Sequence, residues 1–338
     1  MEAERFGEMM EGEAVHRVIL RGGELTASIL TYGGVLQDLR LEGHDAPLVL
    51  GFDTFEPYLT KSPYFGAIPG RCANRIGNAR FTLDGKRYRT DPNFLGKHTL
   101  HGGSKGTGKR NWRIGEQGSD FVTLHIADPD GWMGFPGNLE VSCTYRLKPA
   151  GTLELEYEAT TDQPTVCNFA HHSYFNLDDG GVGNILDHRL MINAAAYLPV
   201  DDELIPTGIV QPVDGTPFDF SQARPVRWKD GEGQFVYDHN FCLSAVRGPL
   251  RQAAWAQGAA SGIEMEFWTT EPGVQFYAGH KVSPGVPGHG RRIYGANAGF
   301  CLEAQVWPDA VNRPYFPSAI LRPNETYRQI TQYRFRLP

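Results

Sequence analysis

Alternation of apolar and polar residues constrains the fold of this 338-residue chain more than any other feature of its sequence. Residues 139–147 place Leu, Val, Cys, Tyr and Leu at every second position, and residues 152–159 alternate again after a Lys-Pro-Ala-Gly turn. A period of two puts successive side chains on opposite faces of a strand, so these residues predict a β-hairpin with one apolar face. Asp84-Gly85 predicts a second hairpin, and residues 264–270 and 327–335 predict further strands.

Helical signals are weak along the whole chain. Residues 53–57 could form one short turn with Asp53 as its N-cap, and the Ala-rich residues 250–257 could form a short helix. No segment keeps a 3.6-residue apolar period over a dozen residues, and no repeat of fixed length occurs. We therefore predict an all-β fold, a single domain over residues 1–338 made of large antiparallel sheets packed as a β-sandwich. Because a β domain of this length is unusually long, a two-domain arrangement is the alternative.

The composition favours a small-molecule partner over nucleic acid or a membrane. The net charge is −7 and no polybasic run occurs, so the basic surface typical of nucleic-acid and membrane-surface binders is missing. No apolar run approaches the ~18 residues that cross a bilayer, and the acidic, polar residues 1–13 do not resemble a secretory signal. The five cysteines are widely spaced and lack a Cys-x-x-Cys pair, which predicts free thiols in a reducing, cytoplasmic compartment.

Residues 171–177, His-His-Ser-Tyr-Phe-Asn-Leu, concentrate groups suited to proton transfer. Histidine titrates near neutral pH and can act as an acid or a base. The aromatic residues beside it could support the apolar face of a sugar ring. The alternative is a strand with one buried, hydrogen-bonded histidine, and the heptad alone does not decide between His171 and His172.

Glu303 lies in an apolar stretch whose alternation would put Cys301, Glu303 and Gln305 on one face of a strand. An unpaired carboxylate on a buried face is unfavourable, so Glu303 should be paired or functional. Desolvation would raise its pKa toward that of a useful base. No nucleophile elbow, phosphate loop or dinucleotide fingerprint occurs, which leaves acid–base chemistry without a cofactor on a small, polar, ring-bearing substrate.

Three loops carry further polar groups. Residues 70–77 present Arg71, Asn74 and Arg75 between glycines, and forked guanidinium donors suit hydroxyl or carboxylate oxygens. His101 precedes a glycine pair, but the ligand spacing of a zinc-binding helix is missing, so we expect no metal. Asp238 lies between aromatic residues, where it could grip vicinal hydroxyls. A surface loop with solvated arginines is the alternative for residues 70–77, and a plain loop aspartate is the alternative for Asp238.

With these motifs in this order, the chain resembles the aldose 1-epimerase (galactose mutarotase) family. The resemblance runs from about Gly33 to the C-terminal strand and is carried by residues 70–77, 100–103, 134–139, 172–177, 212–220, 237–241, 271–277 and 301–323. It implies the galactose mutarotase-like supersandwich, a large antiparallel β-sandwich with the sugar site on one face of a sheet. It also implies interconversion of the α and β anomers of a free aldose, such as galactose or glucose, in hexose metabolism and without a cofactor.

The resemblance also implies roles for individual residues. Glu303 matches the general base that takes the proton of the anomeric hydroxyl, and His172 matches the general acid that donates to the ring oxygen. His101 matches a second histidine near the same oxygens. Such a mechanism needs His172 protonated beside an ionised Glu303. The residues that match the substrate-binding groups are Arg75, Asn74, Asp238 and Gln275.

The chain departs from the family pattern at a few positions. His171 stands where Asn is common, Cys72 where Tyr or Val is common, and Ala304 where Thr or Pro is common. We assign catalysis to His172 rather than His171, because His172 directly precedes the matching Ser-Tyr-Phe-Asn-Leu sequence.

Three alternative functions stay open at this point. A hexose-phosphate epimerase of the same superfamily would need a cation aimed at the phosphate, and Arg71 is the local candidate. A non-catalytic sugar-binding module on the same fold would be expected to lack Glu303 or His172. A glycoside hydrolase would use Glu303 and Asp238 as a carboxylate pair. For the mutarotase itself we expect a free aldose as the small-molecule sugar substrate, no nucleic-acid or membrane partner, and a monomer or homodimer.

Overall fold

Antiparallel strands make up most of the regular structure in the computed structural model, which describes residues 3–62, 64–230 and 233–338. In chain order the first strands are β1 (Glu4–Glu8), β2 (Ala14–Gly22), β3 (Leu25–Leu30), β4 (Leu36–Leu41), β5 (Arg75–Ile76), β6 (Arg80–Leu83), β7 (Lys86–Arg89), β8 (Thr99–Leu100), β9 (Arg113–Gln117), β10 (Phe121–Asp128), β11 (Leu139–Lys148), β12 (Thr152–Thr161) and β13 (Thr165–Val166). The strands that follow are β14 (Arg189–Ile192), β15 (Ala196–Tyr197), β16 (Gln211–Pro212), β17 (Arg224–Pro225), β18 (Lys229–Asp230), β19 (Gly233–Gln234), β20 (Asp238–Cys242), β21 (Arg251–Gln257), β22 (Glu264–Thr269), β23 (Gly273–Tyr277), β24 (Cys301–Gln305), β25 (Ile320–Leu321) and β26 (Tyr327–Arg336).

Helical structure among the described residues is short. The α-helix α1 spans Glu56–Thr60. Single 3₁₀ turns lie at Gly77–Ala79, Thr107–Lys109, Trp132–Gly134, His289–Arg291 and Ala310–Asn312. None of the helices in the described ranges is long and apolar enough to span a membrane.

Two large sheets pack face to face. One has nine strands in the order β17-β14-β21-β22-β26-β12-β11-β10-β9, and the other has five in the order β16-β15-β20-β23-β24. A four-stranded sheet, β1-β2-β3-β4, adjoins them, and the short pairs are β5-β8, β6-β7, β13-β25 and β18-β19. Tyr333 of β26 donates its hydroxyl hydrogen bond to the carbonyl of Leu302 in β24 at 3.0 Å, which ties the large sheets together.

The core lies between these sheets, and its largest apolar cluster contains side chains from both. Tyr157, Phe267 and Tyr333 of the nine-stranded sheet and Phe276 and Leu302 of the five-stranded sheet are all completely buried. Since the apolar residues of each strand occur at every second position, the opposite face of each sheet carries the polar residues. The predicted all-β antiparallel sandwich is confirmed.

The predicted hairpins are confirmed as well. Strands β11 and β12 pair through ten residues with Lys148 opposite Thr152. Strands β6 and β7 are joined by Asp84 and Gly85, whose φ angles of 49° and 80° are those of the tight, left-handed turn that Asp-Gly favours.

Two local predictions about helices are wrong. The Ala-rich residues form strand β21 instead of a helix, because they pair with β14 on one side and β22 on the other. The small Ala254 and Ala256 side chains are buried in that sheet, so tertiary packing overrides helix propensity. Asp53 does not cap α1: its carboxylate accepts hydrogen bonds from His289 Nδ1 at 3.0 Å and from the Gly290 amide at 2.9 Å.

Candidate active site

Three neighbouring strands of the five-stranded sheet place polar side chains in rows on the face that points away from the core. Asn240 in β20, Gln275 in β23 and Glu303 in β24 lie opposite one another in the register. Phe276 and Leu302, one position along, point into the core. The period of two therefore puts a polar face of the sheet opposite the apolar one, and this polar surface carries the candidate site.

Glu303 and His172 form a close pair on this surface. His172 Nε2 lies 3.7 Å from Glu303 Oε1, and the two residues are 6% and 2% exposed. Two hydrogen bonds fix the His172 main chain: its amide donates to the Ala67 carbonyl at 2.9 Å, and its carbonyl accepts from the Gly66 amide at 3.0 Å. His172 thus lies on a segment outside the five-stranded sheet and contacts Glu303, which lies on strand β24 of that sheet.

His101 enters from a turn that it shares with Asn74. The His101 amide donates to the Asn74 carbonyl at 2.9 Å, and the Asn74 amide donates back to His101 Nδ1 at 3.1 Å. Both residues have left-handed φ angles, 52° and 62°, in a region that His and Asn occupy more readily than most residues. Because Nδ1 accepts a hydrogen bond, the ring proton of neutral His101 lies on Nε2, which is then a donor.

This tautomer bears on metal binding. One ligand atom from each of His101, His172 and Glu303 lies within 4.8 Å of the others, a spacing that could hold an ion. A metal would need the lone pair of His101 Nε2, but that nitrogen carries the proton. Histidines that bind metals normally donate a hydrogen bond through their other nitrogen, whereas His101 Nδ1 accepts one. The arrangement suits hydrogen bonding to a substrate oxygen better than metal coordination.

A second group of polar side chains surrounds Asp238. Gln275 Nε2 donates to Asp238 Oδ1 at 2.7 Å, and a terminal nitrogen of Arg75 lies 4.0 Å from Asp238 Oδ2. The Arg75 guanidinium rests over the Phe94 ring, 4.7 Å from its centroid, which restricts its orientation. Together these groups offer a carboxylate acceptor beside cationic and amide donors, a set that can bind vicinal hydroxyls.

An amide network beneath these groups was not predicted. Gln305 Nε2 donates to Asn240 Oδ1 at 3.2 Å and to Gln275 Oε1 at 3.4 Å, while Asn74 Nδ2 donates to Gln305 Oε1 at 3.5 Å. The signal for Gln305 was its shared face with Glu303, but Asn240 could be placed only once the pairing of β20 with β23 was known. The structure brings together the seven predicted site residues: Asn74, Arg75, His101, His172, Asp238, Gln275 and Glu303.

Burial controls the charges of the central pair. Burial and then the nearby Asp238 charge raise the pKa of Glu303 well above its ordinary value, while Arg75 acts in the opposite direction. Glu303 Oε2 makes no hydrogen bond within the described part of the chain. Burial lowers the pKa of His172 to about 4, although Asp238 acts to raise it. Both shifts favour the proton on Glu303, so burial opposes the expected protonated His172 beside an ionised Glu303 in the protein alone.

His171 faces the other way from His172. Its Nε2 pairs with the Ser173 hydroxyl at 2.7 Å and its Nδ1 with the Tyr145 hydroxyl at 3.4 Å. Burial, and then the neighbouring His172, lower the pKa of His171 to about 3, so it is a neutral core residue. Although the two histidines are adjacent in sequence, one lies in the core and the other in the site.

The aromatic residues of this heptad are not a platform for a sugar. Phe175 is completely buried, and the Tyr174 ring contacts the Phe65 and Tyr277 rings, so neither offers a free ring face. The Tyr174 ring instead stacks on His172, with centroids 5.1 Å apart. The expectation of a sugar-binding aromatic surface at these two residues is wrong, because both pack inside the protein.

Arg71 is also buried, and it does not reach toward a ligand. Its guanidinium donates to Asp128 Oδ2 at 3.2 Å and to the carbonyls of Pro136 and Gly137 at 2.9 Å. With 1% of its surface exposed, it stabilises the surrounding loops. A phosphate-binding role for Arg71 is therefore wrong.

Comparison with known proteins gives matches along nearly the whole chain. The model of the aldose 1-epimerase family matches residues 16–334. The galactose mutarotase of Rattus norvegicus is 43% identical over 337 residues, which cover 98% of this chain and 97% of that protein. The aldose 1-epimerase of Escherichia coli K12 is 35% identical, with 96% of each chain covered. The crystal structure of a GalM/aldose epimerase homologue from C. elegans superposes with a TM-score of 0.89 at 30% identity, covering 96% of this chain and 99% of that one.

Proposed function

The chain belongs to the aldose 1-epimerase family, and from this we propose that Glu303 and His172 interconvert the α and β anomers of a free aldose by acid–base catalysis. It is accordingly an isomerase that acts on a free sugar. Galactose is the first substrate to test, because relatives with 41–43% identity are named galactose mutarotases.

The observation that carries this proposal is the buried contact of His172 Nε2 with Glu303 Oε1 at 3.7 Å. Anomer exchange requires one proton to leave the anomeric hydroxyl and another to reach the ring oxygen. Two adjacent groups that hold a single proton between them can perform both transfers. The same two groups can then reverse them, so the enzyme returns to its starting state after each cycle.

In the ring-opening step, Glu303 takes the proton of the C1 hydroxyl while His172 donates a proton to the ring oxygen. The bond between C1 and the ring oxygen breaks, and its electrons pass to that oxygen as the carbonyl forms at C1. The aldehyde end rotates, and closure on its other face runs the two transfers backwards. Atoms and charge balance, because the sugar loses one proton and gains one.

Burial of the pair has a consequence for this step. Ring opening converts an ionised Glu303 and a protonated His172 into a neutral carboxylic acid and a neutral imidazole. The same desolvation that raises the pKa of Glu303 and lowers that of His172 favours this neutral product. Ring opening therefore returns the pair to the charge state that burial favours, after the proton has passed from Glu303 to His172 in the complex with the closed sugar.

The other groups would hold the sugar while its anomeric end moves. His101 Nε2–H is a donor for an oxygen near the reacting atoms, since its Nδ1 is occupied by Asn74. Asp238 with Arg75 and Gln275 would bind the remaining hydroxyls at the other end of the ring. Fixing one end and leaving C1 unclamped permits the rotation that exchanges the anomers.

Two of the alternatives lose support from this geometry. A glycoside hydrolase would pair Glu303 with a second catalytic carboxylate, but Asp238 is engaged by Gln275, and His172 contacts Glu303 directly. A binding module would not need a buried, unpartnered carboxylate oxygen beside a histidine, which is unfavourable unless it serves chemistry.

Polarimetry tests the proposal directly. Freshly dissolved α-galactose and α-glucose should lose their initial rotation faster with the protein than in buffer alone, and reach the same final value. Absence of acceleration for both sugars would overturn the proposed function.

A further inference from the structure

Tyr64 contacts both histidines of the candidate site, although its sequence context gave no signal of a role. Its ring lies 5.8 Å from the His172 ring with an angle of 22° between the planes, and 4.7 Å from the His101 ring at 63°. Tyr174 stacks on His172 as well, at 5.1 Å and 25°. Two tyrosine rings thus stack on the imidazole of His172, each tilted by no more than 25° from its plane.

The turn that contains Tyr64 is hydrogen bonded to the His172 main chain. The Tyr64 φ angle of 65° lies in the left-handed region, which is unfavourable for a bulky side chain. The turn that imposes it has the Ala67 amide donating to the Tyr64 carbonyl at 3.1 Å, and Ala67 and Gly66 both hydrogen bond to the His172 main chain. Strain that the surroundings maintain in this way is typical of functional sites.

A ring at this position affects which form of His172 is stable. The face of an aromatic ring carries negative potential and attracts a cation stacked on it. An imidazolium at His172 is opposed by burial and by the Arg75 charge, and favoured by Asp238. On its other sides His172 faces Glu303, Cys301 Sγ at 3.5 Å from Nδ1, and the ring of neutral His101. The two tyrosine rings add a favourable interaction that these groups do not supply, and the Tyr64 ring also carries the Lys109 ammonium, 4.9 Å from its centroid.

We propose that Tyr64 is a positioning residue for His172, whose ring keeps the imidazole aligned with Glu303 and stabilises the imidazolium that donates to the sugar ring oxygen. This inference rests on the proposed acid role of His172. Tyr64 acts through His172, so its removal should change the rate of the chemical step more than the binding of the sugar.

Three variants test the inference. Tyr64→Leu keeps an apolar side chain over His172 but removes the ring, and Tyr64→Phe keeps the ring but removes the hydroxyl. Tyr88→Leu is the matched control, because Tyr88 is also half-buried and stacks on Phe81 at 5.2 Å and 21°, away from the site residues. Circular dichroism at each pH verifies that every variant is folded.

Tyr64→Leu should lower kcat about tenfold with little change in KM, since a desolvated cation–π contact is of that order. In a plot of kcat/KM against pH, the fall in activity on the acid side (the acid limb) should move to lower pH for this variant, because the protonated form of His172 has lost a stabilising neighbour. Tyr64→Phe should have a kcat close to that of wild type. Tyr88→Leu should change neither kcat nor the pH of the acid limb. Brief exposure to acid buffers from a stock at pH 7 limits denaturation during these assays.

Two results would overturn the inference while leaving the proposed function intact. Equal kcat for wild type and Tyr64→Leu would show that the ring does not act on His172. A rise in KM with unchanged kcat and an unmoved acid limb would show that Tyr64 contacts the sugar instead. Failure of the wild-type protein itself to accelerate mutarotation would contradict the proposed function rather than this inference.

Discussion

The amide of Asn74 donates a hydrogen bond to Nδ1 of His101 at 3.1 Å, and this single contact determines what His101 can do. It leaves the proton of the neutral imidazole on Nε2, where the ring is a donor. Burial, and then the neighbouring His172 and Arg75, hold the pKa of His101 well below its ordinary value. His101 is thus a neutral hydrogen-bond donor at physiological pH rather than a second acid.

Replacing this donor should reduce the rate without abolishing it. We expect His101→Phe to lower kcat by about 10²-fold, the order found when one preorganised donor to a developing charge is lost. His101→Gln, whose amide can donate to the same oxygen, should recover part of that activity. Mutarotation rates at saturating sugar measure both variants, and equal activities for Phe and Gln would contradict a donor role.

The pH dependence of kcat/KM should be bell-shaped with an unusually low acid limb. The pair of Glu303 and His172 is active with one proton and titrates as a unit. A second proton must go to His172, whose pKa is lowered to about 4, so the acid limb should lie near pH 4. The alkaline limb follows the pKa of Glu303 and should lie well above the ordinary range of a carboxylate. An acid limb near the ordinary histidine pKa would contradict this assignment.

Asp238→Asn should affect both the KM for the sugar and the alkaline limb of the pH profile of kcat/KM. Loss of the negative charge weakens the hydrogen bond from Gln275 and any charge-assisted contact to the sugar, so we expect KM to rise about tenfold. The Asp238 charge also raises the pKa of Glu303, so its removal should move the alkaline limb to lower pH. Asp187→Asn, at an exposed carboxylate paired with Arg227, is the control that should change neither quantity. An unmoved alkaline limb would show that Asp238 does not act on Glu303.

Glu303→Gln should make the protein more stable than wild type at alkaline pH. The pKa of Glu303 is higher in the folded than in the unfolded state, so the folded state binds more protons. Stability from this group is complete below the unfolded pKa and is lost as the pH rises through the folded pKa. The glutamine variant has no such loss, so the Tm of the variant minus that of wild type should increase as the pH rises from the ordinary carboxyl pKa to alkaline values. A constant difference in Tm over that range would contradict a desolvated Glu303.

Much of the fold and part of the site follow from local sequence patterns. A period of two predicts that Glu303 shares a strand face with Cys301 and Gln305, and this holds because β24 lies in a sheet with one apolar face. The Asp84-Gly85 turn is equally local. Strand β21 was missed because its Ala-rich residues are extended only through pairing with two neighbouring strands.

The charge state of the pair and the role of Tyr64 could not be predicted from sequence. The lowered pKa of His172 and the raised pKa of Glu303 arise from burial by segments far apart in the chain. Tyr64 approaches His172 only because the turn at residues 64–67 hydrogen bonds to the His172 main chain. The two adjacent histidines also depend on tertiary structure, since His171 lies in the core and His172 lies in the site.

A double-mutant cycle on Glu303 and His172 tests the account most directly. We predict that Glu303→Gln and His172→Gln each lower kcat/KM by at least about 10³-fold, and that the double variant is hardly slower than either, because the two groups act as one unit. Circular dichroism should show that all three variants are folded. Near-native mutarotation by either single variant, or losses that multiply in the double variant, would contradict the proposal that one proton shared between these residues carries the reaction.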